Sequence, residues 1–334
     1  MQAGFQMQTR TPWGTETNGA RSALSCSGWK LHSAAHCIGA FAGIFLLLVM
    51  PLRLNGAELK PKTARAFNRY VQKAELRINQ ELKLGGPFLW IDTLSSGDRA
   101  AAYTRLRNGG IIVHPFAAGL DVPGGMIHDW VGIAFIPNVT LDETLAQIQD
   151  YSAYPRIYSP EVALSKTLEH DGNDYKVSLW LKKKSIVTVV LDVVENVEYF
   201  RLDPSHAYSH AHSARIVLVE DSGISPDRKD RSASRQGYLW KLDGYGWFLQ
   251  TPSGVYLQLE AIALSRNIPW GLEWLIRPFV TKIPRDSLRF TLAHARASLE
   301  RAARQPSEVN DAQQSGSGGT ESRQRASTSQ DIER

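Results

Sequence analysis

The most constraining feature of the sequence is a series of six apolar, strand-forming segments in its second half. They cover residues 162–169, 175–182, 186–200, 211–221, 238–250 and 255–264. The segments are separated by turn-forming residues such as Asp171-Gly172-Asn173 and Thr251-Pro252-Ser253-Gly254, which suit chain reversals. Strands joined in this way predict an antiparallel meander.

Helices are predicted on both sides of this meander. A strand at 126–136 precedes a helix at 140–151, which Thr140 opens with Glu143 three residues later, the spacing of a capping box. A C-terminal helix at 285–303 carries Leu288, Leu292, Ala295 and Leu299 on one face. Residues 126–303 therefore predict one α+β domain, a strongly curved antiparallel sheet with a long C-terminal helix over an internal cavity.

An apolar concavity with a few polar groups is typical of a small-molecule site. The predicted ligand-binding residues are Trp180, Trp240, Trp247, Tyr256, Glu260, Arg266, Leu288 and Leu292. The alternative for the aromatic side chains is ordinary core packing. The alternative for Glu260 and Arg266 is a salt bridge at the sheet rim or exposure to solvent, instead of an ion pair or ligand contact on the cavity wall.

Two stretches resemble the START-related superfamily, which includes polyketide cyclases, coenzyme Q-binding proteins and birch-pollen-allergen-like proteins. The first is Leu141 to Tyr151 with Tyr154-Pro155, and the second runs from Gly254 through Glu260 to Leu288. The resemblance covers residues 126–303. It implies a helix-grip fold that binds a lipid, sterol, quinone or polyketide-like molecule. Carriers and enzymes share this fold, so fold alone leaves function open.

Three functions are consistent with this sequence. The first is binding or transport of a hydrophobic small molecule, the second is a cyclase- or hydrolase-type enzyme using the same cavity, and the third is an envelope-associated structural protein with a filled core. No catalytic residue, metal or cofactor is predicted, because the sequence shows no phosphate-binding glycine-rich loop, no serine nucleophile elbow and no paired-carboxylate motif.

A histidine cluster is the strongest candidate for a metal site in the sequence. His206, His210 and His212 share one face of an extended strand, which is compatible with metal ligation as well as with solvated side chains near a turn. Two acid–base pairs, Asp129 with Glu260 and His170 with Asp171, lack a spacing that predicts contact.

The N-terminal region predicts export. An uncharged apolar run at 38–52 follows Lys30 and precedes Gly56-Ala57, the arrangement of a secretory signal, and it is shorter than the roughly 20 residues of a membrane-spanning helix. A periplasmic or secreted protein is expected, with a membrane anchor or a buried helix as the alternatives.

Cleavage after Ala57 removes both cysteines, Cys26 and Cys37, and with them disulfides and thiolate metal sites. It also removes four of 38 Lys and Arg and one of 33 Asp and Glu, so the net charge falls from +5 to +2. No nucleic-acid partner is predicted from this balance.

The remaining segments are assigned by pattern. Residues 61–84 predict an amphipathic helix, and short strands are expected at 88–91, 103–106 and 110–113 within an N-terminal region of 58–125. Residues 224–236 predict a mobile loop. Residues 304–334 are rich in Ser, Gln and Gly and predict a disordered tail.

Overall fold

The computed structural model describes residues 58–83, 85–184, 188–219, 237–267 and 273–317, without the side chains of 183, 184, 188, 273–281 and 305–317. The predicted leader at 1–57, with its apolar run and cysteines, and the predicted loop at 224–236 lie outside these residues. The chain from Asn55 onward forms one compact unit. No helix in the described ranges is long and apolar enough to cross a membrane.

Eight antiparallel strands form one curved sheet in the order β1-β2-β8-β7-β6-β5-β4-β3. The strands are β1 (Ile111–Val122), β2 (Gly125–Pro137), β3 (Val162–Asp171), β4 (Asp174–Lys184), β5 (Thr188–Arg201), β6 (His206–Val219), β7 (Leu239–Thr251) and β8 (Gly254–Arg266). The predicted meander is confirmed. The last strand, β8, returns to pair with β2.

In the described residues, five α-helices cover the two faces of the sheet: α1 (Pro61–Glu81), α2 (Ser96–Arg107), α3 (Leu141–Gln149), α4 (Tyr154–Ile157) and α5 (Glu273–Ser317). The capping box at the start of α3 is confirmed, since the Glu143 backbone N–H donates to Thr140 Oγ1 and the Thr140 backbone N–H donates to Glu143 Oε2 at 2.7 Å. The fold class is α+β, with the C-terminal helix against a curved sheet in a helix-grip arrangement.

One face of the sheet packs against α5, and we call it the α5 face. Leu288, Leu292, Ala295 and Leu299 are buried there, in a cluster with Ala134, Leu257 and Phe248. Gly132 lies beneath the helix, because an added Cβ would come within 2.7 Å of Leu292 Cδ1. The glycine therefore allows the helix to approach the sheet backbone closely.

The opposite face packs against α1, α2 and the 3₁₀ turn Trp90–Thr93, and we call it the α1 face. Phe67, Val71 and Ile78 of α1 form a buried cluster there with Ile133 and Ile262. Residues 58–125 thus form a second covering layer and, through β1, an extra strand. They belong to the same compact unit as residues 126–303.

Three expectations for individual elements differ from the structure. Residues 103–106 lie in α2, and residues 88–91 lead into a 3₁₀ turn, so the strands predicted at both places are wrong. The N-cap Ser95 accepts a hydrogen bond from the Asp98 backbone N–H and starts α2 as a helix. Only the strand predicted at 110–113 is present, as the start of β1.

The C-terminal helix is longer at both ends than the predicted 285–303. It begins at Glu273 and continues to Ser317, so residues 304–317 of the predicted tail are helical. Extending an existing helix avoids the nucleation cost, and this segment contains the helix-forming residues Glu, Ala and Gln.

Candidate functional site

A row of small residues crosses the middle of the α5 face. Ala261 of β8 pairs with Gly244 of β7, which pairs with Ala211 of β6. A Cβ added to Gly244 would meet only the Ala211 Cβ at 3.7 Å and the Glu260 backbone oxygen at 4.0 Å among described atoms. Among the described residues, no side chain packs closely on Gly244, in contrast to Gly132, where the α5 side chains fill the same face.

The residues around Gly244 remain partly accessible although they lie on interior strands. Leu242, Leu259 and Ala261 are half-buried, whereas Ala134, Leu257 and Phe248 at the other end of the face are fully buried. A side chain on an interior strand keeps accessible surface only where nothing packs on top of it. Within the described residues, the α5 face thus has one end that the helix closes and one end that is covered less completely, which we call the open end or the concavity.

Glu195 adds a carboxyl group to this concavity. It lies on β5 opposite Val177 of β4 and Ser213 of β6, and it alternates in step with the buried residues Val193 and Val197. Burial, and then the charge of Asp243, raise the pKa of Glu195 to about 7. Its side chain nevertheless keeps accessible surface, as expected for a group that lines a cavity.

Three tyrosines border the same space. The Tyr151 and Tyr199 hydroxyl oxygens are 2.9 Å apart in a hydrogen bond, and the Tyr154 hydroxyl donates to the Ile148 backbone oxygen at 2.6 Å. Burial is the main cause of the raised pKa values of all three, and the charge of Glu195 adds to each. The 3₁₀ turn Tyr151–Ala153 and α4 place two of these rings over β4 and β5.

The eight predicted ligand-binding residues are divided between the two faces. Leu288 and Leu292 lie on the α5 face, in its closed end. Trp240, Trp247 and Tyr256 pack in the cluster of the α1 face. Trp180 alternates with the α5-face residues Val177 and Leu179 and so points to the opposite side. The structure does not bring these residues together around one space.

Glu260 is the clearest departure from the predicted arrangement. It points to the α1 face, where its fully buried carboxylate accepts a hydrogen bond from Arg77 Nη2 of α1. Arg77 also donates to Glu81 at 2.9 Å. An ion pair between Glu260 and Arg266 is not formed, because six residues of extended strand separate the two by roughly 20 Å.

Asp129 joins this buried group, although its spacing from Glu260 did not predict contact. It lies diagonally across the β2–β8 pair from Glu260 and accepts a hydrogen bond from the Tyr70 hydroxyl at 2.9 Å. Burial is the main cause of the raised pKa values, to about 6 for Asp129 and to about 8 for Glu260. Asp129 and Glu260 lie beneath α1 and contact its side chains. The two carboxyl groups therefore link α1 to the sheet and face away from the concavity.

The histidine cluster is occupied by contacts with its neighbours. His206 Nδ1 lies 2.9 Å from Asp203 Oδ2, His210 stacks on Tyr245 with ring centroids 4.7 Å apart, and His212 Nε2 lies 3.1 Å from the Asn196 side chain. Within the described part of the chain, no three His, Cys, Asp or Glu side chains are grouped to hold a metal ion.

Sequence reasoning missed Glu195, although a signal for it was present. Asp192, Glu195 and Glu198 are evenly spaced charges on β5, and only Glu195 shares its parity with Val193, Val197 and Tyr199. An acidic residue that alternates in step with buried apolar residues of a strand is a candidate for a polar group that faces the interior.

No protein-family model and no curated protein matches the chain. Several solved structures are similar to it at low identity. A STAR-related lipid transfer protein from Xanthomonas axonopodis is 20% identical, with 54% of this chain and 95% of that chain covered and a TM-score of 0.36.

Two further solved structures are similar at lower identity. The Zhui aromatase/cyclase from Streptomyces sp. R1128 is 12% identical, with 53% of this chain and 96% of that chain covered and a TM-score of 0.36. A START superfamily protein from Mycobacterium smegmatis is 11% identical, with 54% and 99% covered and a TM-score of 0.34.

Proposed function

We propose that the protein binds a hydrophobic small molecule of the lipid, quinone or polyketide-like class in the open end of the α5 face. The supporting observation is that, among the described residues, an added Cβ at Gly244 meets only the Ala211 Cβ and a backbone oxygen, whereas the opposite face of the same strand carries the buried Tyr245 and Trp247. Apolar surface left uncovered beside a packed core favours an apolar guest, because burying that surface releases about 25 cal/mol per Å².

The proposal is tested by filling the space. Gly244→Leu places a side chain above the central strands, where an added Cβ meets only Ala211 and a backbone oxygen. We expect this variant to fold with an unchanged or higher melting temperature. It should bind the uncharged fluorescent probe N-phenyl-1-naphthylamine at least about tenfold more weakly than wild type.

The matched control is Thr167→Leu, which adds the same apolar side chain at an exposed position of β3. Its probe binding should equal that of wild type. If Gly244→Leu binds the probe normally, the guest lies elsewhere. If wild type does not bind the probe and Gly244→Leu is strongly destabilised, the face is filled by the protein's own side chains and the structural alternative replaces the binding function.

The cellular location is a separate part of the proposal. The apolar run at 38–52 followed by Gly56-Ala57 supports export. An exported carrier would meet its guest at a membrane surface, which is where sparingly soluble molecules accumulate. We therefore propose that the protein associates with a membrane surface when it takes up or releases its guest.

A further inference from the structure

The carboxyl group of Glu195 has no hydrogen-bond partner among the described residues, and its side chain is only partly accessible. The pairing of β5 with β4 and β6 places it on the α5 face, beneath the layer formed by α3, the turn Tyr151–Ala153 and α4. Carboxyl groups that are largely shielded from water are ordinarily hydrogen-bonded or paired with a cation. The half-buried Glu195 has neither partner within the described part of the chain.

No described Lys or Arg side chain forms an ion pair with Glu195. The described charged group that raises the pKa of Glu195, after burial, is Asp243, which is also acidic. Arg215 lies two strand positions away along β6 but pairs with Asp192 at 2.7 Å. The electrostatic potential at this end of the concavity is therefore negative whenever Glu195 is ionised.

The neighbouring hydroxyl groups leave more acceptors than donors. Tyr154 uses its proton on the Ile148 backbone oxygen, and one of the two protons of the Tyr151–Tyr199 pair is used within that pair. One proton of these three phenols and the hydroxyl proton of Ser213, opposite Glu195, remain as donors, against the carboxylate oxygens of Glu195 and the lone pairs of the phenols. A guest that reaches this end meets a site rich in hydrogen-bond acceptors.

We propose that Glu195 selects guests whose polar end donates hydrogen bonds, a hydroxyl group or a protonated amine, and disfavours guests with an anionic headgroup. This inference rests on the proposed function and specifies its ligand class. An anion beside an unpaired carboxylate is repelled and cannot satisfy an acceptor. A donor satisfies the carboxylate, and an ammonium group is also attracted by its charge and by the tyrosine rings.

The test compares three twelve-carbon probes that differ only in the headgroup: dodecan-1-ol, dodecylamine and dodecanoate. Each displaces N-phenyl-1-naphthylamine from the full-length protein at concentrations below micelle formation. At about pH 7.5 we expect the better of the two donor probes to bind at least about tenfold more tightly than dodecanoate. A preference for the amine that grows between about pH 6 and pH 8 identifies an ammonium guest, and a preference for the alcohol identifies a hydroxyl guest.

The role of Glu195 is tested with Glu195→Gln, which keeps the shape of the side chain and removes its charge, and with Glu195→Ala. Both should reduce the discrimination against dodecanoate to below about threefold. Glu198→Gln is the matched control, because Glu198 lies three residues along the same strand, is exposed and points to the opposite side. It should leave the discrimination unchanged.

The outcomes separate this inference from the function on which it rests. Equal or tighter binding of dodecanoate by wild type overturns the inference and leaves the binding function standing, as does unchanged discrimination in both Glu195 variants. Failure of all three probes to displace the fluorophore, together with failure of the fluorophore itself to bind, overturns the binding function and the inference with it.

Discussion

The contact between α5 and the sheet at Gly132 can be tested with a double-mutant cycle. Leu292 is 0% exposed and its Cδ1 occupies the place that a Cβ at position 132 would need, at 2.7 Å. Leu292→Ala should cost about 3 to 5 kcal/mol, the upper part of the range for buried leucines. The reason is that Gly132 has no side chain that can move into the hole.

Gly132→Ala is expected to be destabilising even though alanine is the better residue for a strand. Its methyl group would also lie 3.0 Å from Leu288 Cγ and 3.1 Å from Leu288 Cδ2. Overpacking of this kind costs about 1 to 3 kcal/mol, and the gain from replacing glycine offsets about 0.5 to 1 kcal/mol of it. The net expected loss is about 0.5 to 2 kcal/mol.

In the double variant the new methyl group fills part of the space left by Leu292. Its destabilisation should therefore be about 1 to 2 kcal/mol smaller than the sum of the two single losses, with the remainder set by the contact to Leu288. Chemical denaturation followed by circular dichroism gives all four free energies of unfolding. Gly97→Ala, where no atom lies within 4 Å of the added Cβ, is the control and should stay within about 1 kcal/mol of wild type. Additivity within about 0.5 kcal/mol would show that the helix does not rest on Gly132.

Three further predictions concern charge and processing. Arg77→Ala removes the hydrogen-bond and charge partner of the buried Glu260 carboxyl group and should cost about 2 to 4 kcal/mol in denaturation, with the exposed Arg69→Ala as a near-neutral control; equal losses would contradict the buried pair. Burial raises the pKa values of Glu195 and Glu260 from 4.5 to about 7 and about 8. The stability that these two protonated carboxyl groups contribute is therefore fully present below pH 4.5 and is lost as pH rises through the raised values. The melting temperature should thus be lower at about pH 8.5 than at pH 5, less so in Glu195→Gln, and a rising trend would refute the burial of these acids. N-terminal sequencing of protein from the exported fraction should begin near Ala57, and an intact Met1 start from the cytoplasm would contradict export.

The meander and its closing helix were predictable because each depends on a local pattern. The alternation within β8 and the spacing of Leu288, Leu292, Ala295 and Leu299 identify a strand and an amphipathic helix without reference to the rest of the chain. The capping box at Thr140 is equally local. These signals survive because tertiary contacts reinforce them.

The assignment of strand faces was not predictable from the same patterns. On β8 both Val255 and Leu257 on one side and Tyr256 and Ile262 on the other are apolar and buried. A strand covered on both faces has no polar side to mark its outside. The sequence pattern therefore places the aromatic residues in the concavity, whereas in the structure Trp240, Trp247 and Tyr256 pack beneath α1.

The amphipathic pattern of α1 contained the missing information. An apolar stripe at Phe67, Val71 and Ile78 has to be buried against a second apolar surface. The face of the sheet that α5 covers cannot serve both helices. This argument assigns Trp247 and Tyr256 to α1 and leaves the smaller residues Gly244 and Ala261 for the other side.

Under the proposed function, the α1 face contributes stability and the open end of the α5 face contributes binding. On the α1 face, large aromatic side chains and the group of Arg77, Glu260 and Asp129 fill the interface, so a substitution there changes the free energy of unfolding whether or not a guest is present. On the open end of the α5 face, small residues leave the volume that a guest would occupy, and Gly244→Leu should stabilise the strand while it removes the site. A guest that binds only the folded protein adds stability in proportion to its concentration. The added stability should therefore disappear in Gly244→Leu and persist in Arg77→Ala, provided that the concavity and the α1 interface act as separate parts of the fold.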